Sequence, residues 1–139
     1  TRLLTDTGRK GVWAAVRHGI AELDYEITGS WLLAKLKAAA EILRERPPCN
    51  RNFRPPPDFG YLLPDLIFRD TGRTAGEYCC IIVERGRISG YCWVNERESM
   101  SWHELKQRQI ADREMSSLTA LLRSEILRRP DAVTRKPET

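Results

Sequence analysis

Apolar and polar residues follow two different periods along this chain, and the two periods predict different elements. Apolar residues recur at helical spacing within residues 8–18, and residues 20–27 alternate as a half-buried strand does. A broad apolar stripe then extends over residues 31–46, which predicts a helix. Ser30 provides a side-chain oxygen that can cap this helix, and the proline pair at 47–48 ends it.

Beyond residue 65 the apolar positions alternate with a period of two, which is typical of strands. Residues 66–69 form one short predicted strand, and residues 77–84 and 87–94 form a predicted hairpin. The turn between the hairpin strands is Arg85-Gly86, where the glycine can adopt the positive φ that a two-residue turn requires. This part of the chain is therefore expected to contain an antiparallel sheet.

Two more helices are predicted after the hairpin. The first covers residues 101–109, where Ser101 is the cap and Glu104 follows three residues later, at the spacing of a capping box. The second covers residues 116–128, whose apolar side chains share one helical face, and Pro130 ends it.

These elements predict a mixed chain of the α+β class, in which a strand–helix unit precedes a β-hairpin or short sheet packed with two helices. The boundary lies where helical spacing gives way to period-two spacing. Four parts are expected: a first unit at 1–52, a connector rich in proline and arginine at 53–65, a small α+β subdomain at 66–129 and a loose polar tail at 130–139.

The composition is that of a globular protein with a small positive charge. Of the 139 residues, 41% are hydrophobic and 30% are charged, and the net charge is +4. This balance permits a nucleic-acid partner, although many domains without one share it. No apolar stretch is long enough to span a bilayer, so we expect no membrane partner.

The cysteines indicate a reducing compartment, and hence the cytoplasm. They include no CxxC pair, and neither histidine lies at zinc-ligand spacing from a cysteine pair; the four are Cys49, Cys79, Cys80 and Cys92. We therefore expect buried or half-buried free thiols, and no metal or other cofactor bound by this chain. The two adjacent cysteines lie in a predicted strand, so their side chains should point to opposite faces.

A basic stretch at residues 44–54 is the candidate contact with nucleic acid. Arginine side chains can pair with phosphate oxygens, and Phe53 can stack on an unpaired base. The alternative is a solvated loop whose aromatic side chains pack onto the core. The arginines of this stretch are Arg44, Arg46, Arg51 and Arg54. Base stacking and core packing also remain alternatives for the aromatic residues of the hairpin, which are Tyr78, Tyr91 and Trp93.

The run IAELDYEITGS at 20–30, the helix after it and the run RPPCN at 46–50 resemble the second half of the GIY-YIG nuclease domain. In that family a strand ends near Thr-Gly-Ser or Thr-Glu, and a leucine-rich helix then leads to Lys-Pro-x-Tyr-Asn. The likeness extends to bacterial proteins that join an exonuclease like DNA polymerase III epsilon to a GIY-YIG module. Residues 66–129 resemble the C-terminal region of those proteins, though less specifically. The resemblance implies DNA processing or repair with Mg²⁺ or Mn²⁺ in the parent family.

The residues that would catalyse hydrolysis in that family have no counterpart here. Neither a GIY nor a YIG motif occurs in the sequence, and by position both are expected upstream of Thr1. The resemblance places the metal-binding glutamate at Ala38, whose methyl group cannot bind a cation. Glu41, three residues later, is either a substitute ligand or an exposed glutamate. Asn50 matches an asparagine that supports the family's site, or it only braces the turn.

The sequence therefore predicts a degenerate or partial module of a DNA-processing nuclease. We expect no catalysis by this chain alone, and instead a role in binding DNA or in docking to the catalytic domain upstream. The alternative is a structural or protein-interaction module without contact to nucleic acid. A further alternative is an active enzyme that holds its metal through Glu41.

Overall fold

The computed structural model describes residues 27–45 and 63–136 of this protein. They form three α-helices, five strands and two 3₁₀ segments. In chain order these are α1 (Trp31–Glu45), β1 (Leu66–Thr71), β2 (Glu77–Glu84), β3 (Arg87–Asn95), α2 (Trp102–Arg108), β4 (Ile110–Ala111), a 3₁₀ segment (Arg113–Leu118), α3 (Thr119–Arg128), a second 3₁₀ segment (Pro130–Ala132) and β5 (Val133–Arg135). The predicted α+β class is confirmed.

One antiparallel sheet organises the described residues, with the strand order β4-β3-β2-β1-β5. The central hairpin turns at Arg85 and Gly86, whose φ angles are 56° and 83°. Two positive φ angles in succession are typical of the turn whose twist matches that of the flanking strands. The predicted hairpin and the positive φ of Gly86 are confirmed, and Arg85 adopts a positive φ as well.

The pairing of β2 with β3 contains one irregularity that decides which side chains meet. Ile82 lies opposite Gly90 and Val83 opposite Ile88, so the register shifts between these two pairs. Without the extra residue, positions 88 and 91 would point to opposite sides of the sheet, because side chains alternate along a strand. The bulge places Ile88 and Tyr91 in the same core cluster.

Both faces of the sheet are covered, which explains why residues 79–83 of β2 are buried without alternation. On the α1 face, α1, the 3₁₀ segment Arg113–Leu118 and α3 pack against the sheet through a core that includes Leu36, Phe68 and Leu122. On the α2 face, Leu105 of α2 packs against a smaller cluster of Ile67, Cys80, Ile82, Cys92 and Val94.

Helix α1 and the sheet share one hydrophobic core. Leu33 and Leu36 of α1 are fully buried in the same cluster as Phe68 and Ile81 of the sheet. The predicted connector at 53–65 falls almost entirely outside the described residues, as do the helix and strand predicted before residue 27. On either side of that gap, the chain contributes to a common core and not to two separate ones.

The C-terminal elements differ from the prediction in two places. The helix predicted from Ser116 is a 3₁₀ segment up to Leu118 and an α-helix only from Thr119. The prediction of a loose tail from residue 130 is wrong for residues 130–135. These residues form a 3₁₀ turn and then β5, which pairs with β1. The predicted Ser101 cap is confirmed, because its hydroxyl accepts a hydrogen bond from the amide of Glu104, and the Glu104 carboxylate accepts from this hydroxyl.

Candidate functional site

Two of the predicted site residues lie together on α1, and they bind each other. Arg44 donates to Glu41 at 2.6 Å and to Asp112 at 2.8 Å. A guanidinium group that already pairs with two carboxylates has less capacity to pair with phosphate. The other predicted contacts lie outside the described residues: Arg46, Asn50, Arg51, Phe53 and Arg54.

The position of the expected metal ligand is a half-buried methyl group on α1. Ala38 contributes no oxygen, and the Glu41 carboxylate pairs with a cation of its own helix. Within residues 27–45 and 63–136, no group of three or more histidine, cysteine, aspartate or glutamate side chains is placed to hold a metal ion.

Sequence reasoning missed a polar cluster at one end of the sheet, centred on Asp70 of β1. The carboxylate accepts hydrogen bonds from Ser30 at 2.6 Å and from both Nη atoms of Arg129 at 3.0 and 3.2 Å. Glu125 accepts a further hydrogen bond from Nε of Arg129 at 2.8 Å. Ser30, which caps α1 by accepting from the amide of Leu33 at 3.0 Å, thereby joins the helix to the sheet.

The Asp70 cluster is suited to holding secondary-structure elements together and not to transferring protons. Burial alone would raise the pKa of Asp70, but hydrogen bonds from Arg129, Ser30 and the Thr71 amide outweigh that effect and lower the pKa below its usual value. A carboxylate with a lowered pKa is a poor base, so it does not activate the Ser30 hydroxyl as a nucleophile. The geometry instead connects α1, β1 and the end of α3.

The loop before α1 lies against the β1–β2 turn at the same end of the sheet. Gly29 has a φ of 77°, and a Cβ built on it would lie 1.9 Å from the carbonyl oxygen of Gly72. The Thr71 hydroxyl donates to the carbonyl of Gly29 at 2.6 Å, and the Trp93 indole donates to that of Thr28 at 3.0 Å. Only glycine allows this approach, which fixes the start of α1 on the sheet.

Cations lie over aromatic rings at five places in the described part of the chain. In two of them the ring belongs to the core, since Phe68 and Tyr91 are buried. The other three rings are half-buried and retain exposed surface. These pairs are Arg69 over Tyr78 at 4.0 Å, Arg73 over Trp93 at 4.2 Å and Lys136 over Trp102 at 5.2 Å. The predicted alternative of core packing is therefore confirmed for Tyr91.

Arg69 and Tyr78 differ from the other two pairs in their charge environment. Arg73 forms a close ion pair with Glu77, and Lys136 lies 4.0 Å from Asp65. Arg69 is exposed and has no ion-pair partner among the described residues, and its guanidinium lies over the ring of Tyr78. Both side chains lie on the α2 face, because Arg69 is opposite Cys80 and Tyr78 is two residues before it.

The Arg69–Tyr78 pair could not be found from spacing alone. The two residues belong to different strands, and they become diagonal neighbours only in the observed register of β1 with β2. The sequence did provide one signal, because a cation in a strand and an aromatic residue in the next strand are the usual components of such a pair.

Comparisons of this chain with protein-family models, with curated proteins and with solved structures found no match. Within the two described ranges, none of the helices has the length and the apolar character that crossing a bilayer requires.

Proposed function

We propose that this chain is a non-catalytic DNA-binding module. In this proposal it serves a DNA-processing nuclease of the GIY-YIG or exonuclease type in the bacterial cytoplasm, and an upstream domain supplies the catalytic residues. The observation that carries the proposal is the exposed Arg69 guanidinium stacked on the half-exposed ring of Tyr78. The sequence resemblance supplies the nuclease context, and this pair supplies a surface that can contact nucleic acid.

The chemistry of the pair suits a single strand. An aromatic ring with exposed surface can stack on an unpaired base of any sequence. A guanidinium held beside it can bind phosphate oxygens in a bidentate manner, and stacking on the ring reduces the side-chain freedom that binding would otherwise cost. Lys136 over Trp102 adds a second cation and ring on the α2 face. Two such pairs on one face of the sheet favour single-stranded over duplex DNA.

The decisive experiment measures binding of the 139-residue chain to a fluorescent single-stranded oligonucleotide by anisotropy over a series of salt concentrations. We expect binding at low salt and a linear fall of the logarithm of the association constant with that of salt, since bound cations release the counterions of the phosphates. Binding to single strands should exceed binding to duplex of the same sequence. Absence of binding at low salt would contradict the proposal and favour the protein-interaction alternative.

A second experiment tests the non-catalytic part of the proposal. Supercoiled plasmid is incubated with the chain in Mg²⁺ or Mn²⁺, and nicked product is measured on a gel. We expect no nicking, because Ala38 offers no ligand and Glu41 is paired with Arg44. Metal-dependent nicking that disappears in Glu41→Ala would show that the chain is an active enzyme.

A further inference from the structure

Two cysteines face each other across the central hairpin. Cys80 of β2 and Cys92 of β3 are direct partners in the antiparallel register. Both are free thiols in the α2-face cluster, with 1% and 2% of their surface exposed. The bulge begins two residues away in each strand, beyond Ile82 and Gly90, and it leaves the cysteine pairing regular, since Ile81 still lies opposite Tyr91.

The ladder puts these residues at the separation that a disulfide requires. Directly opposite residues in an antiparallel pair have Cα atoms roughly 4.5–5.5 Å apart, and disulfides form between Cα atoms about 4.4–6.8 Å apart. Both side chains also lie on the same face of the sheet, in one core cluster. Bond formation therefore needs a change of side-chain rotamers and little movement of the backbone.

The surroundings favour Cys92 as the thiol that reacts first. Interaction with the adjacent Cys80 thiol lowers the pKa of Cys92, burial opposes this effect, and the positive charge of Arg108 adds to the lowering. The pKa of Cys80 shifts in the opposite direction, because interaction with Cys92 and burial both raise it. One thiol is thus suited to attack an oxidant and the other to resolve the product.

We propose that Cys80 and Cys92 form a reversible dithiol–disulfide site that is oxidised by hydrogen peroxide. The Cys92 thiolate attacks the peroxide, the O–O bond breaks, and hydroxide leaves and takes up a proton, which gives a sulfenic acid. The sulfur of Cys80 loses its proton and attacks the sulfur of Cys92, and the hydroxyl group leaves as water. Two thiols lose two electrons, and one peroxide becomes two waters.

Helix α2 covers this site, and its local opening would admit a small oxidant. Helix α2 has seven residues, of which only Leu105 is buried. Two ion pairs with partly exposed partners hold its last turn, namely Lys106 with Glu84 and Arg108 with Glu98. Such pairs contribute little to stability, so the helix can open locally without unfolding the sheet.

Cys79 provides a matched control within the same strand. It is the residue next to Cys80, but it lies on the α1 face and its partner in the ladder is Trp93. Burial strongly raises the pKa of the Cys79 thiol. Cys49 lies outside the described residues. The proposed geometry therefore requires that oxidation involves Cys80 and leaves its neighbour Cys79 as a thiol.

The test treats the native 139-residue chain with hydrogen peroxide, alkylates the remaining thiols and maps tryptic peptides by mass spectrometry. We expect peptide 74–85, which carries Cys79 and Cys80, to be linked to peptide 88–97, which carries Cys92, with the loss of two hydrogens. Fragmentation should place the link at Cys80, leave Cys79 alkylated, and show that a thiol reductant reverses it. The wild-type chain suffices for this measurement, so it does not depend on the folding of any variant.

The variants complete the test. In Cys79→Ser the link should form as in the wild type, whereas Cys80→Ser should stop at Cys92 sulfenic acid, which a dimedone probe captures. Alkylation of both Cys80 and Cys92 after peroxide treatment would overturn the proposal. So would a link between Cys79 and Cys92, or one through Cys49.

Discussion

Arg129 binds Asp70 through both arms of its guanidinium group, with distances of 3.0 Å from Nη1 to Oδ1 and 3.2 Å from Nη2 to Oδ2. The two residues are 59 positions apart in sequence, so this bidentate pair closes the end of α3 onto β1. The guanidinium carbon also lies 5.0 Å from the centre of the Phe68 ring in the core. The same carboxylate accepts from Ser30, which makes Asp70 the common anchor of three elements.

Asp70 should make stability depend on pH below its ordinary pKa. Its folded-state pKa lies below the ordinary value of 3.8 that describes the unfolded chain, so the ionised carboxylate stabilises the fold above that pH. This contribution is lost as the pH falls through the folded-state pKa. We expect Asp70→Asn to lower the free energy of unfolding by about 2 kcal/mol at neutral pH, since Arg129 is partly exposed and the pair is screened.

The measurement is urea unfolding of both proteins at neutral pH and at successive values below 3.8. The difference between them should shrink toward zero as Asp70 of the wild type becomes protonated. Glu98→Gln serves as the control, because the Glu98–Arg108 pair is exposed on both sides and should contribute much less. A difference that is independent of pH would contradict this role of the Asp70 charge.

Gly29 should tolerate no side chain. Gly29→Ala forces both a strained φ and a contact with the Gly72 carbonyl, so we expect a loss of about 3 kcal/mol in unfolding free energy. Gly76→Ala isolates the free-energy cost of the strained φ. The φ of Gly76 is 79°, but the nearest atom to an added Cβ is a Glu96 oxygen at 3.7 Å. That control should lose only about 1 kcal/mol. Equal losses in thermal or urea unfolding would show that the close approach is unimportant.

Helix α1 should unfold together with the sheet. Leu36 is fully buried in the shared core, so Leu36→Ala is expected to cost about 3 kcal/mol and to shift one cooperative transition. The exposed neighbour Lys35 gives the control, since Lys35→Ala should change the free energy by less than about 0.5 kcal/mol. Circular dichroism and tryptophan fluorescence should report the same midpoint. Two separate transitions would instead support the predicted boundary between subdomains.

DNA binding should weaken selectively when the Arg69–Tyr78 pair is altered. Arg69→Ala should reduce the slope of the salt dependence by about 0.7, the value expected for one lost phosphate contact on a single strand. Tyr78→Leu keeps an apolar side chain and should lower affinity by about 1–3 kcal/mol through lost stacking, with the salt slope unchanged.

The matched control for this pair is Arg128→Ala. Arg128 carries the same charge and its side chain is 77% exposed, but it belongs to α3, which packs on the other face of the sheet. Its removal should leave both affinity and salt slope close to the wild-type values. Equal effects of Arg69→Ala and Arg128→Ala would indicate attraction by net charge alone and would remove the assigned site.

The sequence was informative where a local signal decides the structure. Ser101 with Glu104 marks a helix start, and Gly86 marks a tight turn, because capping and positive φ depend on a few adjacent residues. Elements that depend on distant partners were missed. Strand β5 contains only three residues, and Thr134 and Arg135 are exposed, so nothing local distinguishes it from a polar tail.

The candidate sites follow the same rule. The Asp70 cluster needs Ser30 and Arg129 from opposite ends of the described chain, and the Arg69–Tyr78 pair needs the register of two strands. Neither can be found by counting along the sequence. The resemblance to a nuclease directed attention to Glu41, and the basic stretch directed it to Arg44, but Glu41 pairs with Arg44, and Arg44 pairs with Asp112 as well. The motif resemblance indicated a nuclease context, and the contacts in the structure indicated the candidate surface for nucleic acid.

Strand β5 also has a consequence for the solubility of shortened chains. It covers the outer edge of β1 by pairing with Leu66, Ile67 and Phe68, which form the most apolar part of that strand. A chain that stopped before Val133 would leave this backbone unsatisfied and open to strand addition by a second molecule. By pairing with β1, strand β5 therefore protects the protein against aggregation.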